Sequence, residues 1–459
     1  MIATAIAAAD RFLHADSGLG ELYGEVTAQA PDDHGVRAAL ACHLAAPHTA
    51  ADQLAAMVGA DVDSVCAAYR FARSSHAVAR LVGSWFYPHR MRWAFAAGTV
   101  GEWQRRPEIP AAIKARRPVL AETVEVHPTW GTCNYRCRMC LWSDQQTLTY
   151  ATKQLDTGGL MHVDEWLQVL TDLSRAGVRR LVVSGGGEAL INPDLPQILC
   201  RAADLGFEIH MYTTGFSIRP GTALFDALLH CHRVRFSIHS PEPVTYDRIA
   251  GTRPGQHALD RVMNNLLALR DQREAVPALG IGFVIQPFNY EQILAMVDFA
   301  EDAETDWLDL RKDEVDVTEG LDTEQVESVR DQLRAVRARP STNTRIDIGD
   351  ELVALANGVT PDRSRTSECM ARYFRPTIGA YGHLTPCDLK AEPRFAGTAY
   401  NLGSVKASRL LQVVEMSAGR RVLDDCTQCM PSSRTGNAIV HKLLADLDAG
   451  ISLDEQPFA

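Results

Sequence analysis

No stretch of the 459-residue chain approaches the roughly 20 apolar residues that a membrane-spanning helix needs. The opening, Met1 to Ala9, is apolar, but no basic residues precede it, and Asp10 and Arg11 interrupt it early. It reads as a helix and not as a secretory signal. Basic residues are short as well: 46 Lys and Arg face 57 Asp and Glu, a net charge of −11. That balance discourages a nucleic-acid partner, and an acidic protein suits a cationic substrate such as an amino sugar. Internal repeats and low-complexity tracts are missing. The 11 cysteines are odd in number, and a chain of this size needs no covalent staples, so a disulfide framework is a poor reading. Free thiols point to a reducing, cytoplasmic setting.

What is present is ordinary in bulk: 46% hydrophobic and 22% charged residues, as in globular proteins. Three regions are expected. Residues 1–118 are Ala-rich and helical. Ala50 to Val58, then Gly59, then Asp61 to Ala68 reads as helix, glycine stop, cap, helix. Such a pair can bind DNA or a peptide, but few basic residues lie on its second helix, which favours a domain docked on a catalytic core. Pro107, Pro110 and Pro118 mark a linker. In residues 119–340 strands and helices alternate. Strands are expected at Glu122–His127, Arg180–Ser184, Phe207–Thr213, Val234–His239, Leu279–Gln286 and Trp307–Arg311. Helices are expected at Val163–Ala176, Leu259–Arg270 and Glu291–Asp302. The alternation implies an α/β fold with a parallel sheet. Six units fall short of a closed eight-stranded barrel, so an open partial barrel fits, with its site at the C-terminal strand ends. Residues 341–459 form the third region.

Cys133, Cys137 and Cys140 follow the first strand with the spacing C-x3-C-x2-C. Three thiolates this close can wrap one corner of a metal cluster, yet a four-iron cluster usually takes four cysteines. The fourth iron would be open to a substrate or cofactor. Structural zinc is the alternative, but it takes four ligands, usually as two short pairs. No fourth cysteine is near, and His127 and His162 are set apart from the triad. One strand–helix unit later come Gly185, Gly186, Gly187 and Glu188. A glycine run alone is usually a tight turn, though glycine also lets backbone approach a ligand.

The triad followed by the GGGE strand end resembles the radical S-adenosylmethionine (SAM) enzymes. In that family the open iron binds the amino and carboxyl groups of SAM, and one electron from an external flavodoxin- or ferredoxin-type donor cleaves it to a 5'-deoxyadenosyl radical. The resemblance implies SAM contacts at Gly185, Gly186, Gly187 and Glu188, at Ser237 midway along its strand, and at Arg311. Met139 matches the position of a bulky residue packed near the adenine. Cys369, Gly382 in a short hairpin, Cys387, a helix begun after Leu402 and Gly403, and the pair Cys426 and Cys429 resemble the twitch form of the SPASM domain. The likeness implies a second, auxiliary 4Fe-4S cluster on those four cysteines, with zinc as the alternative. Cys42, Cys66, Cys200 and Cys231 read as buried apolar residues.

Over residues 40–320 the chain is similar to the amino-sugar-modifying group of radical SAM enzymes, which includes the deaminase of desosamine biosynthesis and the diol dehydratase of apramycin biosynthesis. The segments around Glu188, Gly282 to Val284 and Leu308 to Asp313 carry that likeness. It implies a hydrogen taken from a carbinol carbon of an amino sugar or aminocyclitol, with 1,2-diol dehydration as the outcome. Dehydrogenation to a ketone and deamination are the alternatives, and modification of a ribosomal peptide is the rival of another class. Glu188, Thr213, His239, Gln286, Arg311, Asp313 and Glu314 fall at the expected strand ends. Of these, Asp313, Glu314 and His239 are the candidate catalytic residues.

Overall fold

The computed structural model describes residues 18–84, 87, 89–140, 159–253, 255–274, 277–313, 320–340, 342–356, 368–418 and 429–458. The candidate residues Glu314 and Cys426, and the apolar opening before residue 18, lie outside them. A ten-stranded sheet organises the chain: β1 Thr123–Val126, β2 Arg180–Val183, β3 Glu208–Thr213, β4 Arg233–Ser237, β5 Ala278–Ile285, β6 Trp307–Lys312, β7 Arg345–Ile348, β8 Thr377–Ile378, β9 His383–Thr385 and β10 Gly403–Ser404. The strands lie in the order β10-β9-β8-β1-β2-β3-β4-β5-β6-β7. Neighbours from β1 to β7 are parallel, β8 adds in parallel to the free edge of β1, and β9 and β10 return antiparallel. With helices between the strands, this is an α/β partial barrel.

The parallel series runs one strand further than the six expected. β7 has only four residues, and two of them, Arg345 and Asp347, are charged, so its apolar signal is faint. It nevertheless pairs with β6 from Trp307–Arg345 to Leu310–Ile348. The boundary expected at 340 therefore cuts through the sheet: β7 to β10 belong to the same sheet as the barrel strands.

Each strand alternates, and the two faces are unlike. Val124 and Val126, Leu181 and Val183, Ile209 and Met211, Val234 and Phe236, and Ile281, Phe283 and Ile285 join the apolar side chains of the outer helices in one core. The amphipathic helix Val163–Arg175 contributes Trp166, Val169, Leu170 and Leu173. Fully burying one such side chain contributes about 1.5–3 kcal/mol. The opposite face, the inside of a partial barrel, carries Glu125, His210, Tyr212, Arg233, Arg235, Asp309, Arg311 and Asp347. Cys42 and Cys231 are buried as expected, but Cys66 is only partly buried and Cys200 is exposed. Cys200 sits on the helix Leu195–Asp204, whose buried face is Leu195, Ile198, Leu199 and Ala202.

The N-terminal helices follow the sequence closely. Ala51–Val58 stops at Gly59 with φ 67°, and Asp61 caps Val62–Ser74 by accepting from Ser64 N at 2.8 Å. Their apolar faces form a core of their own. The helix Arg90–Arg105 instead joins a third cluster with Cys369, Cys387 and the last long helix, Pro431–Asp448. That last helix also holds the N-terminal helices through a buried ion pair. Lys442, 2% exposed, donates to Asp446 Oδ2 at 2.5 Å and lies 4.8 Å from the Tyr69 ring centre. Asp446 Oδ1 accepts from Ala51 N at 2.8 Å. Asp446→Ala would leave a buried ammonium without its partner. Chemical denaturation should show a loss of about 3–5 kcal/mol, and a midpoint equal to wild type would refute this anchoring.

Candidate active site

The loop after β1 carries the cysteine triad, and neighbouring backbone holds it. Gly131 N donates to Gly186 O (2.5 Å), Glu188 N to Thr132 O (2.9 Å), Arg136 N to Ala250 O (2.8 Å) and Arg138 N to Ile249 O (3.1 Å). Tyr135 is buried beneath, its ring edge-on to Phe216 and Tyr246 at 5.7 and 6.0 Å. Burial pushes the Cys137 thiol up, and the adjacent Cys140 and Cys133 thiols push it further. Thiols that repel one another ionise together only when a cation neutralises them. Three thiols, one short of the usual four, fit a cationic iron–sulfur cluster with one open iron. Among the described residues no three His, Cys, Asp or Glu side chains converge as ligands of a single metal ion.

The glycine run brings backbone close to the cysteine loop. Gly185, Gly186 and Gly187 have φ of 64°, 71° and 155°, conformations that side chains disfavour. A Cβ on Gly185 would fall 2.1 Å from His127 Nε2, one on Gly186 2.2 Å from Thr129 O, and one on Gly187 2.3 Å from Thr132 O. The missing side chains make room for the cysteine loop itself. Glu188 likewise turns inward. It is 3% exposed, Oε1 accepts from Thr213 Oγ1 (2.7 Å) and Leu190 N (3.1 Å), and Oε2 accepts from Thr214 N (2.6 Å). Burial raises its carboxyl above the usual range. With both oxygens engaged at the end of β3, Glu188 positions the strand end. Asn134, between the first two cysteines, completes the tie by accepting from Thr214 Oγ1 at 3.2 Å.

The remaining candidates gather at the ends of β4, β5 and β6. Ser237 is the last residue of β4, not its middle, and lies level with Gly282. His239 Nδ1 accepts from Val284 N at 3.2 Å, which leaves the ring proton on Nε2. Burial, helped by Arg235, lowers the His239 pKa to about 3, so the ring is neutral at physiological pH. Arg235 donates to Asp309 Oδ2 at 3.1 Å and stacks on Tyr212 at 4.0 Å, while Arg311 lies 3.6 Å from the same oxygen. Burial works to raise the Asp309 carboxyl, but Arg311 and Arg235 hold it below its ordinary value. Asp313 is buried just past β6, its N–H donating to Ile285 O at 3.1 Å. Met139 meets Gln286, whose Nε2 lies 3.6 Å from the Met139 sulfur. Gln286 is 1% exposed, and among the described residues its Oε1 has no hydrogen-bond partner. Asn289, which sequence reading passed over, joins β4 to β5 by donating to His239 O (2.7 Å) and Val284 O (2.9 Å).

Three of the four C-terminal cysteines are described. Cys369 and Cys387 pack on one apolar cluster. Cys429 comes just before the helix Pro431–Asp448, whose Asn437 accepts from Met370 N at 2.5 Å. Gly382, with φ 79°, makes the β8–β9 turn that leads to Cys387. Between this region and the triad lies a buried ionic chain. Arg375 Nε is 3.4 Å from Glu125 Oε2, and Glu125 Oε1 contacts His127 Nε2 (3.0 Å) and Ser184 Oγ (2.7 Å).

Residues 128–300 match the model of the Radical SAM superfamily, so the chain carries a radical SAM domain. The family implies SAM, a 4Fe-4S cluster and an external reductant; Cys133, Cys137 and Cys140 would hold the cluster. The dTDP-4-amino-4,6-dideoxy-D-glucose ammonia-lyase of Streptomyces venezuelae is 24% identical over 400 residues, covering 80% of this chain and 78% of that protein. A PqqA peptide cyclase of Xanthomonas oryzae pv. oryzae is 27% identical over 256 residues, and the match spans 54% of this chain and 61% of the cyclase. Two structures of Streptococcus suis SuiB share the fold. The one bound to S-adenosylmethionine has TM-score 0.51 and 16% identity, covering 68% of this chain and 69% of that one. The one bound to the precursor peptide SuiA has TM-score 0.52 and 16% identity, covering 70% and 71%.

Two outcomes test the site. Changing Cys133, Cys137 and Cys140 together to Ala should abolish reductive SAM cleavage and lower bound iron, with the circular dichroism spectrum unchanged; 5'-deoxyadenosine from the variant would refute the assignment. Gly186→Ala should unseat the cysteine loop, reducing reconstituted iron and stability by about 2 kcal/mol or more, since strain at positive φ adds to a backbone clash. Wild-type iron content and melting in that variant would show that the close approach is dispensable.

Proposed function

We propose that this enzyme is a radical SAM lyase of aminoglycoside-type antibiotic biosynthesis. It takes a hydrogen atom from a carbinol carbon of an amino sugar or aminocyclitol and brings about 1,2-diol dehydration. The observation that carries this reading is the charged inner face at the C-terminal strand ends. Arg235, Asp309, Arg311, Asp313 and neutral His239 meet there. A substrate dense in hydroxyl and amino groups needs such donors and acceptors, and hydrogen bonds to charged groups contribute about 1.5–3 kcal/mol each. The named amino-sugar lyase, aligned along most of both chains, adds support.

Bound SAM would supply the 5'-deoxyadenosyl radical as the hydrogen acceptor. The rest falls to the chain. Asp313, with Glu314 beside it in sequence, takes the hydroxyl proton of the substrate radical, which is more acidic than the parent alcohol, or holds the substrate ammonium. His239, with Nδ1 engaged by Val284 N, acts through Nε2–H as a hydrogen-bond donor to the departing oxygen and not as a base. Met139 and Gln286 fit the adenine side, and Ser237 and Arg311 the remaining SAM contacts. Cys369, Cys387, Cys426 and Cys429 would hold an auxiliary 4Fe-4S cluster, structural or able to accept an electron. Dehydrogenation to a ketone, which would need that acceptor, is the alternative outcome, and deamination, the chemistry in the lyase's name, is another.

A second reading, a peptide maturase, draws on the cyclase and on the SuiB complex with its precursor peptide. Product analysis with candidate amino sugars, SAM and reductant separates the two. Asp313→Asn should slow substrate turnover ten-fold or more, as about 1.4 kcal/mol requires, while SAM cleavage without substrate persists. Unchanged turnover in both Asp313→Asn and Glu314→Gln would move the pocket elsewhere.

A further inference from the structure

The cysteine loop is not uniformly acidic like the chain around it. Arg136 and Arg138 alternate with the three cysteines and are exposed. Arg248 and Arg253 are exposed on and just after the helix Pro243–Ala250, whose C-terminal turn supports that loop. A Cβ on Gly251 would come within 2.6 Å of Arg136 O, so loop and helix form one surface. The guanidinium carbons of Arg138 and Arg248 lie 4.7 and 3.9 Å from the centre of the same Phe288 ring. One aromatic ring thus gathers two like charges.

Elsewhere exposed arginines find carboxylates, as Arg80 does with Glu25 and Arg409 with Asp172. Among the described residues the guanidiniums of Arg136, Arg138, Arg248 and Arg253 form no ion pair or hydrogen bond. The carboxylates on the supporting helix are engaged by neutral groups. Glu242 accepts from Gln292 Nε2 (2.8 Å) and Thr245 Oγ1 (3.2 Å), and Asp247 from Thr252 Oγ1 (2.6 Å). Val244 stands one helical turn before Arg248, on the same face, and is 82% exposed. In a chain of net charge −11, four exposed arginines with no carboxylate partner among the described residues, with exposed Val244 on the helix face of Arg248 and an exposed Cys133 in the same loop, make a surface complementary to a negative protein.

We propose that this arginine patch is the docking surface of the reductant, a small acidic protein with a one-electron cofactor. The inference rests on the radical SAM reading, which requires one electron from outside for each SAM cleaved. The carrier gives up that electron, its cofactor being oxidised by one, and the cluster on the triad is reduced by one. Docking here puts the donor against the loop that holds the cluster, and Val244 gives the interface an apolar contact within the charged ring.

The test is direct binding of a purified oxidised flavodoxin to the full chain, by titration calorimetry. Salt is set at about 0.05 M and about 0.5 M, where the screening length falls from roughly 14 to 4 Å. Wild type should bind at low salt and lose most affinity at high salt. Arg138→Glu with Arg248→Glu should weaken low-salt binding at least about ten-fold and flatten the salt dependence, as loss of steering charge does, while the corresponding Lys variants retain both. In parallel, flavodoxin-driven SAM cleavage should fall in the Glu variant and dithionite-driven cleavage should hold. Binding equal to wild type in the Glu variant, or equal loss with both reductants, overturns the proposal. Failure of wild type to cleave SAM with either reductant would overturn the radical reading instead, and the binding titration would still judge the surface.

Discussion

The carbonyl oxygens of Thr129 and Thr132 stand within 2.3 Å of where side-chain carbons of Gly186 and Gly187 would begin. The whole upper end of the sheet depends on that contact. Because no side chain intervenes, the turn after β2 lies directly against the loop after β1, and hydrogen bonds from Gly131 N and Glu188 N close the gap. Glu188 is then placed to receive the end of β3, and Thr214 reaches back to Asn134 between the cysteines. Three chain segments meet at one point, so the spacing of the thiols is set by rigid elements more than by the loop that carries them.

Below this junction the sheet divides its labour by face. Apolar residues point to the helices and supply the packing; charged residues point inward and must find one another. They do so in two chains, Arg235 of β4 reaching over β5 to Asp309 and Arg311 of β6 on one side, and Arg375 to Glu125 to His127 on the other. A buried charge without such a partner would be costly. These chains therefore allow a polar interior to exist.

How much of this was legible in the sequence follows from the range of each interaction. The triad and the GGGE turn were legible because their chemistry lies within a few consecutive residues. The barrel strands were legible by alternation, and β7 was not, since Arg345 and Asp347 occupy half of its four positions. The glycines were legible as a place of close approach, but their approach to the cysteine loop was not, because a pattern cannot say which backbone comes close. Ser237 appeared mid-strand since Ile238 and His239 continue the alternation past the last paired residue. Asn289 and Asn134 were invisible: their bonds reach His239 and Thr214, positions 50 and 80 residues away in the chain.

The placement of β8 against β1 has a consequence for how the protein comes into being. Glu125 pairs with Thr377, so one edge of the strand leading into the cysteine loop waits for 377 − 125 = 252 further residues to be made. At about 5–20 residues per second that interval is roughly 10–50 s. Throughout it the emerging chain presents an uncovered strand edge next to three reduced thiols. An open edge of that kind is where nascent chains mispair, so the newborn protein is most in need of chaperoning, and of protection from oxygen, until the segment around Thr377 leaves the ribosome.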